Sequence, residues 1–229
     1  MNETAAQALR QKLMTVPSPK RRHLRWTAGL PYSRKMGCTV YAYQDEGYAL
    51  WLELEFDHDV KSFNLEPVPL TVSQGDQRFE VPLRGASIDR AEHLTLHFTQ
   101  AALDKVVGDT VTADLVNAQQ WDGLDASIRV WRDLREVNRL DRVNKDMLLR
   151  YICAPHVVAN AGIEQQIVDL LKKFRKVCVW DVFRNLKTHD EEEIKTALVN
   201  LVVKKHLFLD MRVIFSGRSE ISGKDIFHA

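Results

Sequence analysis

Residues 51–70 read WLELEFDHDVKSFNLEPVPL, and the fold turns on whether Leu50, Leu52, Leu54 and Phe56 belong to a strand or to a helix. Those four alternate with Trp51, Glu53 and Glu55, which is the period-two pattern of a half-buried strand. The same stretch carries the carboxylates Glu53, Glu55, Asp57, Asp59 and Glu66, with His58 among them. Oxygen donors at that density suggest a site for a hard cation. The plainer reading is the solvated end of an element, because charged side chains seek water.

Composition narrows the setting. A chain of 229 residues, 45% hydrophobic and 28% charged, can bury an ordinary core in one domain or in two small ones. Cys38, Cys153 and Cys178 are odd in number and widely spaced, so neither a disulfide framework nor a CxxC zinc site is available. No run nears the roughly 18 apolar residues of a membrane span, and MNETAAQALR at residues 1–10 lacks the apolar centre of a signal peptide. A cytoplasmic protein is expected.

Charge is unevenly spread. Residues 1–35 hold eight lysines and arginines against Glu3 alone, although the whole chain is nearly neutral at +1. Clustered cations displace counterions from a phosphate backbone, so Lys20, Arg21, Arg22, Arg25, Arg34 and Lys35 are candidate DNA contacts on a basic arm over residues 1–36. Pro17 and Pro19 predict an extended segment there, and Trp26 either stacks on a base or anchors the arm. A solvated terminus that touches nothing is the bland alternative.

Residues 37–140 mix strand and helix signals. Leu65–Val72, Gln77–Leu83, Leu94–Phe98 and Ser127–Trp131 are strand candidates, and Gln100–Ala118 carries an imperfect helical stripe. Such an order describes a compact α/β unit. Residues 141–229 are clearer. Ile163, Ile167, Leu170, Leu171 and Phe174 share one helical face; Val179, Val182, Phe183 and Leu186 suggest a short second helix. A third, capped near Asp190, carries Ile194, Leu198, Leu201 and Val202, and the runs Leu207–Leu209 and Val213–Phe215 are expected to pair as a hairpin. Three helices and a two-stranded wing make a winged helix. The third helix would lead into a DNA groove with Asp190, Glu191, Glu192 and Glu193, which repel phosphates, so protein docking through Glu191, Glu192 and Lys195 is expected instead.

Ser33-Arg34-Lys35-Met36-Gly37, then Leu54-Glu55-Phe56-Asp57-His58-Asp59-Val60-Lys61-Ser62-Phe63, then Glu66-Pro67, resemble TnsA, the endonuclease subunit of heteromeric cut-and-paste transposases. The family pattern has Pro at position 58 and Gln at 66. Arg129–Leu134 and NKDMLLRY at residues 144–151 look like the strand and helix that close the family's nuclease domain. The resemblance covers about residues 20 to 220 and implies a restriction-endonuclease-like domain followed by an α+β winged helix. It also implies that the 44–56 region is a helix, with Glu55, Asp57 and Asp59 positioning the chain at its exit.

In that family a glutamate on the first helix, an aspartate at the second strand and an acid two residues before a lysine on the third bind metal and stabilise developing charge. Here the resemblance puts Gly47, Pro82, His97 and Thr99 at those positions, and no lysine lies between Ser62 and Asp104. Proline offers no ligand atom and threonine no positive charge. The residual catalytic candidates are Glu46, Glu80 and His97, each of which singly reads as a surface residue of a small sheet; Lys105 would have to migrate in. Histidine in such a site would also favour a transition metal over magnesium. No glycine-rich phosphate loop, GxSxG elbow or HExxH helix offers other chemistry.

The resemblance therefore implies a non-catalytic or weakly catalytic subunit with no cofactor. Its partners would be DNA at transposon ends, a DDE-type transposase subunit and an AAA+ regulator of the TnsC type. An active endonuclease using Mg2+, and a stand-alone DNA-binding regulator, are the alternatives.

Overall fold

The computed structural model describes residues 3–15, 27–74, 77–101, 103, 126–131, 139–153 and 160–223. The architecture is mixed α/β, in two units: residues 1–55 with 59–136, and residues 56–58 with 137–229.

In the first unit the stretch expected as an arm begins with a helix, α1 (Glu3–Met14). Leu13 is fully buried, and Leu9 and Met14 pack beside it. The amide of Asn64 donates to the carbonyls of Leu13 (2.7 Å) and Thr15 (3.1 Å), satisfying acceptors that a helix end leaves open. Lys20, Arg21, Arg22, Arg25 and Trp26 lie outside the described residues. Two small antiparallel ribbons follow: β1 (Thr27–Gly29) with β4 (Ala42–Tyr43), and β2 (Tyr32–Ser33) with β3 (Cys38–Thr39).

The ambiguous stretch is a helix, α2 (Gln44–Phe56). Ala49, Leu50, Trp51, Leu52 and Leu54 are all buried, so α2 is enclosed on nearly every side. A helix covered all round has no single apolar stripe, which is why its pattern could pass for alternation.

Four strands form the main sheet, in the order β10 (Ala126–Trp131), β9 (Leu94–Thr99), β8 (Gly85–Asp89), β5 (Val60–Asn64). The β5–β8 and β8–β9 pairs are antiparallel and β9–β10 is parallel. Alternation divides the sheet into two faces. Ala86, Leu94, Leu96 and Phe98 join Leu13, Leu70 and Val81 in one apolar core, with Ile88, Ile128 and Val130 against it. The residues of opposite parity, among them Ser87, Thr95, His97, Thr99, Ser127, Arg129 and Trp131, make the other face polar. Of the predicted helix over Gln100–Ala118, Gln100, Ala101 and Leu103 are helical and the rest lies outside the described residues, as does Lys105.

Gln77–Leu83, expected as the second strand of this sheet, lies elsewhere. β6 (Leu70–Gln74) and β7 (Gln77–Val81) form a separate two-stranded sheet, and β8, which sequence reading passed over, is the sheet's second strand in chain order. Pro82 is exposed just beyond β7.

The second unit opens with α3 (Arg139–Ile152), which contains residues 144–151. The resemblance had assigned that helix to the nuclease domain; here it packs on the later helix α6 instead. Then come α4 (Ala161–Phe174), β11 (Lys176–Cys178), α5 (Val179–Asn185), α6 (Glu191–Val203), β12 (Leu207–Leu209) and β13 (Glu220–Gly223). Asn160 caps α4 by accepting from the N–H groups of Gly162 (3.0 Å) and Ile163, and Asp190 caps α6 by accepting from Glu192 N–H (2.8 Å). The sheet order is β11-β13-β12. The expected hairpin is corrected: β12 pairs with Glu220–Gly223, not with Val213–Phe215. Val213 and Ile214 are exposed, and the loop carrying them is fastened by buried Asn144. Its amide donates to the carbonyls of Met211 (3.0 Å) and Val213 (2.7 Å), and its oxygen accepts from Phe215 N–H (2.8 Å).

Candidate functional site

The polar face of the main sheet holds the positions from which chemistry was expected. At its centre His97 is 2% exposed, so it is no surface residue. Trp131 Nε1–H donates to His97 Nδ1 at 3.2 Å, while His97 Nε2 lies 2.8 Å from Ser87 Oγ. Indole nitrogen can only donate, so Nδ1 must accept, Nε2 carries the proton, and Ser87 receives it. Both ring nitrogens are thereby engaged, and neither keeps a lone pair for a metal. Burial first, and then the charge of Arg129, lower the His97 pKa to about 3. The imidazole is neutral at every physiological pH.

The strand register explains why these groups meet. Arg129 lies opposite His97, and Trp131 opposite Thr99. The Arg129 guanidinium stands 3.9 Å from the Trp131 ring centre, a cation–π contact along the same strand. Thr99 and Ser87 are buried on the same face. On β8 the partner of His97 is Gly85, where a Cβ would lie 2.8 Å from Leu50 Cδ2 and 3.3 Å from the Asn64 carbonyl oxygen. Only a residue without a side chain lets α2 lie this close to the sheet.

The other candidates sit apart. Glu46, in the first turn of α2, forms an ion pair with Arg84 (2.8 Å), both about a quarter exposed. Arg84 N–H also donates to the His97 carbonyl (2.8 Å), so the residue leading into β8 ties helix and sheet together. Glu80 is exposed on β7, opposite Thr71. Gly47 is buried against Ala42. Glu46, Glu80 and His97 are thus on three elements, and among the described residues no group of three His, Cys, Asp or Glu side chains is placed to hold a metal ion.

The acids of the opening stretch are not equivalent. Glu55 is 2% exposed. Its carboxylate accepts from Ser33 Oγ (2.7 Å) and from the N–H groups of Arg34 (2.9 Å) and Lys35 (3.3 Å), and Lys35 Nζ donates to the Leu54 carbonyl at 2.6 Å. Glu55 therefore organises the loop that presents Arg34, whose side chain is exposed.

In the second unit Glu191 and Glu192 both pair with Lys195, at 2.9 and 2.7 Å. Burial works against the lysine's charge, but the bonds to Glu192 and Glu191 outweigh it and hold its pKa above the ordinary value. Sequence reading missed Ser87, Arg84 and the pairing of Trp131 with His97. The alternation in Ser127–Trp131 was the available signal for the last of these.

The molecule is thus a mixed α/β protein whose first unit buries a neutral histidine network on the polar face of a four-stranded sheet. No protein-family model matches the chain, and no curated protein matches it either. No described helix is long and apolar enough to cross a membrane.

Proposed function

We propose that this chain is a TnsA-like subunit of a transposase complex, silent or nearly silent as a nuclease, that binds DNA at transposon ends and docks its protein partners. The observation that carries the reading is the content of β9. A helix followed by three antiparallel strands is the order of elements that the resemblance implies, although Pro82, its expected second-strand position, lies outside this sheet. On that third strand stand His97, with both nitrogens occupied, and Thr99, buried and paired in register with Trp131. Neither residue can supply a carboxylate or an ammonium group to a scissile phosphate.

The second unit is read as a winged helix. From α4 onward its order of helix, strand, two helices and two strands, with the last strand central in the sheet, supports this. Partner docking, by a DDE-type transposase subunit or an AAA+ regulator of the TnsC type, is assigned to this unit. Its α6 begins with exposed carboxylates that disfavour entry into DNA. The exposed Arg34, held in place by Glu55, supports DNA contact by the first unit, and the setting would be cytoplasmic.

The test is incubation of the purified chain, with and without a transposase encoded beside its gene, on duplex DNA carrying that locus's flanking sequences, in Mg2+ and in Mn2+. Binding without cleavage is expected. Cleavage abolished by Glu46→Gln or Glu80→Ala would replace this reading with that of an active endonuclease. Binding without any response to the transposase would favour a stand-alone DNA-binding regulator.

A further inference from the structure

Trp180 is 54% exposed although it opens a helix whose neighbours Val179 and Val182 are buried. Its position is built, not incidental. Trp180 N–H donates to the Gly217 carbonyl (2.8 Å) and Val179 N–H to that of Ser219 (3.0 Å), so the loop before β13 closes the start of α5. The indole lies so flat on Gly217 that a Cβ there would overlap its Nε1. Phe183 stands edge-on to it, 6.2 Å between ring centres.

These two rings separate two hollows. Behind them is a cavity of about 210 Å³, mainly apolar, formed with Met147, Leu198 and Phe215. That is below the roughly 300–1,000 Å³ of pockets that enclose whole small ligands, and suits a single bulky side chain. In front is an open groove bounded by the same rings together with Arg184 and Arg218. Arg184 is 79% exposed and only loosely paired with Asp181 at 3.8 Å. Arg218 is exposed, and its guanidinium has no ion pair among the described residues. Glu191 also lines the cavity, but Lys195 holds it at 2.9 Å. The free charge beside the rings is thus positive.

We propose that this Trp180 groove receives a linear segment of a protein partner that carries one bulky apolar residue with an acidic residue beside it. The apolar side chain fills the cavity behind Trp180 and Phe183, and the carboxylate meets Arg184 and Arg218. Exposed aromatic and arginine side chains around a desolvated pocket are the usual anchors of such contacts. A stacked nucleic-acid strand fits less well, because the cavity is apolar and includes the carboxylate of Glu191. The inference rests on the reading that the second unit docks a protein, and assigns that docking a site and a partner chemistry.

The test uses the full chain. A random linear-peptide library displayed on phage is panned against it, and the enriched peptides are resynthesised with a fluorescein label and titrated by polarisation. The expected consensus is an aromatic or large aliphatic residue with Asp or Glu within a few positions. Trp180→Ala and the double variant Arg184→Glu/Arg218→Glu should each weaken binding at least about tenfold. Lys172→Gln, at an exposed position of α4 away from the groove lining, should leave it unchanged, and all three should melt like the parent. No consensus, a basic consensus, or binding indifferent to both the Trp180 and arginine variants would overturn the proposal. So would labelled oligo(dT) that binds the parent and is lost with Trp180→Ala. Capture of a transposase or ATPase partner that persists in Trp180→Ala would sink this groove alone and leave the docking reading standing.

Discussion

The buried carboxylate of Glu55 accepts a 2.7 Å hydrogen bond from Ser33 Oγ, joining the last turn of α2 to the end of β2, 22 residues earlier in the chain. The N–H groups of Arg34 and Lys35 converge on the same carboxylate. Glu55→Ala would strand these donors in a nearly dry site, at a cost of about 3 kcal/mol, whereas Ser33→Ala should cost about 1 kcal/mol. Urea unfolding of the two variants checks the order, through midpoints compared at equal slope. If the loop positions Arg34 for DNA, Glu55→Ala also weakens binding of a labelled duplex at salt where the fold is intact.

Acid should unfold the protein partly through His97. Its folded pKa, about 3, lies below the roughly 6.5 of an unfolded chain, so between those values the unfolded state binds the extra proton. Stability from this group is therefore fully present above pH 6.5 and is lost as pH falls toward 3, by something on the order of 4 kcal/mol. His97→Gln should be less stable at pH 7 but show a flatter decline from pH 6.5 to 4. Parallel slopes in the two proteins would contradict this assignment.

Gly85→Ala places a methyl 2.8 Å from Leu50 Cδ2 and 3.3 Å from a backbone carbonyl that cannot easily retreat. A loss of about 1–3 kcal/mol is expected, with α2 pushed off the sheet. Leu50→Ala in the same chain should recover part of the loss, because it empties the space the methyl needs. A double-mutant cycle measures that coupling, and strict additivity would refute it.

Asn144 is fully buried and makes three hydrogen bonds to the loop at 211–215. Asn144→Ala should cost about 2–4 kcal/mol, since it leaves two carbonyls and one N–H without that partner. The local signature is faster hydrogen exchange at Phe215 N–H, whose acceptor is the Asn144 oxygen. Unchanged exchange there would mean that the loop is held by other means.

What was legible in the sequence follows from how each element is buried. In α4 a one-sided stripe, with Ile163, Ile167 and Leu171 buried, announced the helix directly. The enclosed α2 lost its stripe, and only the resemblance to a family argued for a helix there. The strand β8, Gly85–Asp89, was invisible because its Gly85, Ala86 and Ser87 are small or polar: α2 approaches closely at Gly85, the histidine network takes up Ser87 on the same face, and Ala86 alone of the three turns to the apolar core. The run Val213–Phe215 looked like the better strand, yet it is a loop displaying two apolar side chains, while the less apolar Glu220–Gly223 is central in its sheet. His97 was singled out by position alone. Its closed hydrogen bonding depends on Trp131, 34 residues away, and no local pattern could have reported it.

The grouping of Phe56–His58 with the second unit bears on biosynthesis. Within these three residues, Asp57 lies 3.7 Å from Lys205 and the Phe56 ring 5.9 Å from Lys145 Nζ. A ribosome releases this tripeptide long before the segments it joins, so the C-terminal unit cannot be completed as an independent late event. No single proteolytic cut or gene fission yields both units whole, and recombination that swapped one unit for another would have to carry this short internal segment with it.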